Sequence, residues 1–293
     1  MSTPWHQLRL IAFDTETTGL SPFDGDRIIE FAAVELHLGP DLQVLRTVAH
    51  DFLINPEIPI PRAASKVSGI TDDDVADEPL FAERAAQIQG LLANSVLIAH
   101  NLSFDLNFIR TEFNRCGLRW PRTLAEIDTL ALSQRRLPDM KSHKLEAVAR
   151  ELSIPLDTAH RATFDAEACG RVFVELARRQ GAPADLDGMV EWADAVSPPP
   201  DTGHLRLGAL GVAEFVDGPH KGKTVEEAPD YLQWMAMALE RGPDGWRQRY
   251  PDSVRQWARR WLRVRGAGRA RTSPRAHGAQ DWAIDPAPWR SSP

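Results

Sequence analysis

The chain has 293 residues, with 41 acidic and 34 basic side chains and a net charge of −7. That length suits about two domains, and the balance excludes a generally basic nucleic-acid coat while leaving phosphate substrates open, since bound divalent ions can invert the sign of a site. Two cysteines, Cys116 and Cys169, exclude a disulfide framework, and no run is long and apolar enough to span a membrane.

Met1 to His6 lacks a basic stretch followed by an apolar one, so no secretory signal is expected and the cytoplasm is the expected location. Leu8–Phe13, Ile28–Leu36 and Val44–Ile54 read as strands that pair as an antiparallel meander. Asn55-Pro56, Pro59 and Pro61 then force an extended excursion. Thr71 or Asp72 can cap a short helix at Asp73–Val75. Pro79 opens a longer helix, with Phe81, Ala85, Ile88 and Leu92 at helical spacing.

Ser95–Ala99 is another short apolar run, ending in His100-Asn101. Phe104–Cys116 is amphipathic and stops at Gly117. Ile127–Thr129 reads as a short strand leading into a helix, and Ser142-His143-Lys144-Leu145 opens another. A last helix runs from about Arg161 to Gln180, with Phe164, Ala168, Val172 and Leu176 inward, and Gly181 ends it. Strands first, then strands alternating with helices, give an α/β layered domain over residues 7–182. Residues 183–203 carry Pro198-Pro199-Pro200 and read as a linker with room for one short helix. A small, mainly helical module is expected over 204–265. A disordered tail is expected over 266–293 from its Gly, Ala, Arg, Ser and Pro content.

Asp14 and Glu16 end the first strand, two residues apart, so they leave it on one side of the pleat. Two like charges that close repel unless a cation sits between them. Hard carboxylate oxygens suit Mg²⁺ or Mn²⁺. Asp105 follows a strand in the first turn of a helix, where the dipole alone favours an acid. Asp165 sits on a mostly apolar helix face and needs a partner or a metal there. His160, at a loop-to-helix junction, reads either as a hydrogen-bonded loop histidine or as part of a site.

Three motifs tie these residues together: Phe-Asp-Thr-Glu-Thr-Thr-Gly from Phe13, His-Asn-Leu-Ser-Phe-Asp from His100, and His-Arg-Ala-Thr-Phe-Asp from His160. Over about Leu8 to Ala177 the chain resembles the DEDDh (DnaQ-like) 3′→5′ exonucleases. Gly69-Ile70-Thr71 and Ile127-Asp128-Thr129-Leu130 add to the match. Arg161 stands where the sister DEDDy class has a tyrosine, and Ser68 stands where many relatives have a histidine. The resemblance implies an RNase H-like fold, a mixed five-stranded sheet flanked by helices. It implies two divalent cations, Mg²⁺ or Mn²⁺, held by Asp14, Glu16, Asp105 and Asp165, with His160 as general base. It also implies that Thr15, Thr17 and Leu20 contact the terminal nucleotide. Asn101 and Phe104 read either as sugar or base contacts or as turn and core residues, the latter favoured for Phe104.

Phe215–Thr224 looks like a phosphate-binding loop, but the glycine that motif needs five residues before Gly222 is Asp217. With Pro229-Asp230-Tyr231-Leu232-Gln233-Trp234, the stretch instead resembles the C-terminal module of exodeoxyribonuclease X-like proteins. Asp230 is expected to cap a helix through about Glu240, and Ser253 another with Val254, Trp257, Trp261 and Val264 on one face. Lys221, Lys223, Arg255 and Arg259 head a basic set that either solvates a small tryptophan core or neutralises phosphates. The expected partner is a nucleic acid with a free 3′ end, DNA ahead of RNA. A polymerase or repair partner and a homodimer stay open.

Overall fold

The computed structural model describes residues 3–156, 161–195, 198–200, 202–209, 211–242 and 245–269. The chain forms two compact units, Met1–Pro198 with Leu207–Gly211, and Pro199–Arg206 with Val212–Pro293.

The first unit opens with the expected meander, β1 (Leu10–Thr17), β2 (Ile28–Leu38) and β3 (Val44–Leu53). The proline-rich excursion carries two short helices, α1 (Arg62–Ser68) and α2 (Asp72–Val75), the second closed by a Thr71/Asp74 capping box. Next come α3 (Phe81–Leu92), β4 (Val96–Ala99), α4 (Leu102–Arg115), β5 (Ala125–Asp128), α5 (Thr129–Arg136), α6 (Leu145–Glu151), α7 (Ala162–Gln180) and α8 (Leu186–Ala193). Gly117 and Gly181 take left-handed backbone after α4 and α7, which any other L-residue would adopt at a cost.

The five strands form one sheet in the order β3-β2-β1-β4-β5. β1 is antiparallel to β2 and parallel to β4, so the sheet is mixed. This is the RNase H-like arrangement. Alternation along β1 divides the core. Leu10 and Ala12 face a cluster with Val172 and Phe173 of α7, while Ile11 and Phe13 face one with Phe108 and Ile109 of α4. Gly170 lets α7 lie close on the sheet, because a Cβ there would stand 2.9 Å from Ala12 Cβ.

One local reading changes. Phe164, expected inward, is 47% exposed, and the buried stripe of α7 runs through Ala162, Ala166, Cys169, Val172 and Phe173. α8 falls inside the expected linker, capped by Asp185, and its Met189 and Val190 join the first unit's core. The Ala209 carbonyl also accepts the Trp120 backbone N–H within the first unit, at 2.6 Å.

The second unit holds β6 (Leu205–Leu207), β7 (Ala213–Phe215), α9 (Pro229–Met237), β8 (Leu239–Gly242), β9 (Gly245–Gln248) and α10 (Asp252–Arg269). α9 starts at Pro229, with Asp230 inside its first turn, and stops at Met237. Residues 239 and 240, which the expected helix reached, belong instead to β8, which pairs with β9. Ser253 lies within α10, and Val254, Trp257 and Trp261 are buried on one face as expected. Residues 270–293, most of the expected tail, lie outside the described residues. Among the described residues, no helix is long and apolar enough to cross a membrane.

Candidate active site

The pleat carries Asp14 and Glu16 out of β1 on the face covered by α7, continuing the row Leu10-Ala12. Asp165 comes from the first turn of α7. Among the described residues, Asp14, Glu16 and Asp165 are brought together, with one oxygen from each within 4.8 Å of the others. All three side chains are half-buried. Asp105, in the first turn of α4, is 2% exposed and adjoins this group.

The electrostatics fit a missing positive charge. Burial pushes the Asp14 carboxyl well above the usual range, and Asp105, Asp165, Glu16 and Glu30 push it further. Burial, then Glu30, Asp165 and Asp105, raises Glu16 to about 7. Asp105 is raised to about 7 by burial, against the pull of hydrogen bonds from Thr15. Carboxylates so placed are stabilised by a hard cation bound between them, so the donor set fits a divalent metal such as Mg²⁺ or Mn²⁺.

The remaining expected site residues divide. Thr15 is 5% exposed, and both its N–H and its hydroxyl donate to Asp105 Oδ1, at 2.9 and 2.7 Å. Its hydroxyl therefore holds a carboxylate in place. Thr17 is 9% exposed and donates its hydroxyl to the Gly19 carbonyl, closing the turn after β1. Leu20 stands 87% exposed at that turn. Asn101 is exposed, takes left-handed backbone before α4, and donates its N–H to Asp128 Oδ1. His160 lies outside the described residues.

Lys221 and Lys223 are exposed on the turn after β7. Arg255 is only 13% exposed and pairs with Asp252 at 2.6 Å, and Arg259 donates to the Ala236 carbonyl at the end of α9. Arg255 is thus paired within its own helix, while Arg259 is exposed and its bond to a neutral carbonyl leaves its charge uncompensated. Side chains from Arg263 onward lie outside the described residues.

Two carboxylates carry weight that sequence reading passed over. Asp128 caps α5 through Leu130 and Ala131 while accepting the Asn101 N–H, so it ties the start of α4 to β5. Its place in Ile127-Asp128-Thr129, with a threonine opening the helix, was the available signal. Glu30 is fully buried opposite Glu16 on β2. A lone glutamate inside the apolar run Ile28–Val34 was the signal for it.

An RNase H-like sheet with carboxylates gathered where β1 ends defines a nuclease domain. The family model described as Exonuclease, RNase_T, matches residues 11–173, and the chain belongs to that family. The DNA polymerase III PolC-type protein of Bacillus cereus is 36% identical over 166 residues, which is 57% of this chain and 11% of that protein. The 3′-5′ exonuclease DinG of Bacillus subtilis is 36% identical over 168 residues, 57% of this chain and 17% of its own length. The chain therefore spans a small part of the curated relatives it matches. E. coli Exonuclease I, solved in complex with a dA16 oligonucleotide, superposes with a TM-score of 0.51 at 22% identity, over 60% of this chain and 42% of that one. That likeness concerns the fold.

Proposed function

We propose that this protein is a metal-dependent 3′→5′ exonuclease that releases nucleoside monophosphates from nucleic-acid 3′ ends. The observation that carries the reading is the convergence of Asp14, Glu16 and Asp165 within 4.8 Å. These three would hold two divalent cations, Mg²⁺ or Mn²⁺, with Asp105 completing the set. Cations bound there would supply positive charge to the scissile phosphate and the leaving oxygen. Thr15 fixes one oxygen of the Asp105 carboxylate. His160 accepts the proton that the attacking water gives up as its oxygen bonds to phosphorus. The bond from phosphorus to the 3′-oxygen breaks and that oxygen takes up a proton from solvent water, leaving a shortened strand with a 3′-hydroxyl and a free 5′-nucleotide. Leu20, exposed beside the site, offers an apolar edge to the terminal base.

DNA is the favoured substrate, in keeping with the DNA polymerase III relative. Lys221 and Lys223 of the second unit would contact the strand's phosphates. The same relative supports a second reading, in which the domain proofreads for a polymerase; co-purification with one would distinguish it from a nuclease acting alone on free ends.

The test uses 5′-labelled single-stranded DNA and RNA of one sequence with Mg²⁺, Mn²⁺ or EDTA. A metal-dependent ladder shortening from the 3′ end is expected, and Asp165→Ala, purified identically, should give none. His160→Ala should lose about a hundredfold or more in rate while still binding Mn²⁺. Cleavage that survives EDTA, or survives in Asp165→Ala, would refute the assignment.

A further inference from the structure

Glu30 is a buried carboxylate to which the hydrolytic reading gives no task. It pairs with Glu16 across β1 and β2, so both side chains leave the sheet toward α7. Its exposure is 0%. A charge at that depth persists only with good partners. Its partners are the start of α7 and the adjacent Asp51 carboxyl. Glu30 accepts the Ala162 N–H at 3.2 Å, and its other oxygen lies 3.4 Å from Arg161 Nη2. One strand further out, Asp51 accepts the Thr163 hydroxyl at 2.8 Å and stands 4.0 Å from the same guanidinium. Three consecutive residues, Arg161 to Thr163, are thus gripped from two strands, and Asp165 follows in the same turn.

A helix needs acceptors for its first N–H groups, and these usually come from the residue just before it. Arg161 supplies no side-chain cap here. An acceptor on the chain segment itself would fix where α7 begins, but not where it sits. An acceptor on β2 fixes the helix start against the strand that faces Glu16. The acidic cluster needs that alignment, since Asp14 and Glu16 ride on β1 while Asp165 rides on α7. A slip of one residue along the axis would move Asp165 by about 1.5 Å, a large error for ligand distances of about 2 Å.

We propose that Glu30 and Asp51 clamp the first turn of α7 and thereby set Asp165 in register with Asp14 and Glu16 for cation binding. Glu30 is a positioning residue, because its oxygens are turned to Ala162 and Arg161. The inference rests on the cluster being a metal site, and the experiment separates the two.

Mn²⁺ binding to the full chain, free of nucleic acid, is measured by titration calorimetry, with a melting curve alongside. Asp165→Ala should lose most of the binding. Glu30→Ala should weaken it about tenfold, the scale typical of groups that orient metal ligands. Glu30→Gln keeps an acceptor for the Ala162 N–H and should stay within about threefold of wild type, the scale of less than one hydrogen bond. Thr163→Val removes one hydroxyl from a partly exposed site. It should weaken Mn²⁺ about threefold to fivefold, and it keeps the test alive even where Glu30→Ala does not fold. Lower melting temperatures with unchanged Mn²⁺ affinity in Glu30→Ala and Thr163→Val would reduce the clamp to a structural contact and overturn the proposal. An Asp165→Ala protein that binds Mn²⁺ like wild type would overturn the metal site itself.

Discussion

Stripped of divalent cations, the first unit should lose stability as pH rises, and Glu16 sets the scale. Burial and its acidic neighbours raise this carboxyl from 4.5 to about 7. Between those values the native state keeps a proton that the unfolded chain has released. Stability therefore falls as pH climbs through the window of about 4.5 to 7, and stays reduced above it. A rise of that size is worth about 3 kcal/mol, at about 1.4 kcal/mol per pH unit. Water reaching the half-buried side chain, and protons shared among neighbouring acids, reduce this to about 2 kcal/mol. For a unit of about 200 residues that is about 4–8 °C in Tm. Calorimetric melting of wild type and Glu16→Gln in EDTA, at about pH 5 and about pH 8, reads it directly. The glutamine cannot ionise, so the variant should melt about 4–8 °C above wild type at the higher pH and within about 2 °C at the lower. Saturating Mg²⁺ should close the gap by neutralising the wild-type carboxylates. A wild type that melts as high as the variant at pH 8 in EDTA would refute the reasoning.

Gly170→Ala should test how closely α7 must lie on the sheet, since the new methyl would press on Ala12 and Leu36. We expect a loss of about 1–3 kcal/mol, read by urea denaturation; a neutral result would mean the helix can lift without cost. Neutralising Lys221 and Lys223 together, as alanines, should weaken single-stranded DNA binding and flatten its salt dependence by about 1.4 in log–log slope. An unchanged slope would return that turn to a purely solvating role.

The meander and the helical spacings were legible in the sequence because each is a local pattern. Asp14 and Glu16 were legible as a pair for the same reason, two residues apart on one pleat. Phe164 was misassigned because steps of four residues advance 400° around a helix, not 360°. The series 164, 168, 172 and 176 therefore drifts by about 40° a step, and its first member leaves the buried face. Residues 239 and 240 were misassigned because Leu-Glu-Arg-Gly suits a helix end or a hairpin arm equally, and pairing with residues 245–248 decided it. The roles of Thr15 and Glu30 were hidden for a different reason. Their partners lie 90 and 132 residues away, at Asp105 and Ala162. No local pattern reports such a contact, although a lone acid in an apolar strand marks that one is required.

The acids of the cluster are far apart along the chain, at positions 14, 16, 105 and 165. The last of them arrives on α7, which covers one face of the sheet and follows all five of its strands in the chain. During synthesis, a nascent chain that has emerged only as far as β5 already carries Asp14, Glu16 and Asp105, but not the helix that brings Asp165 to them. Residues 10–128 thus carry every strand of the sheet, but neither the helix that covers this face nor the last acid of the cluster. The order of elements along the polypeptide therefore delays assembly of the cluster until the domain that confines it is nearly whole.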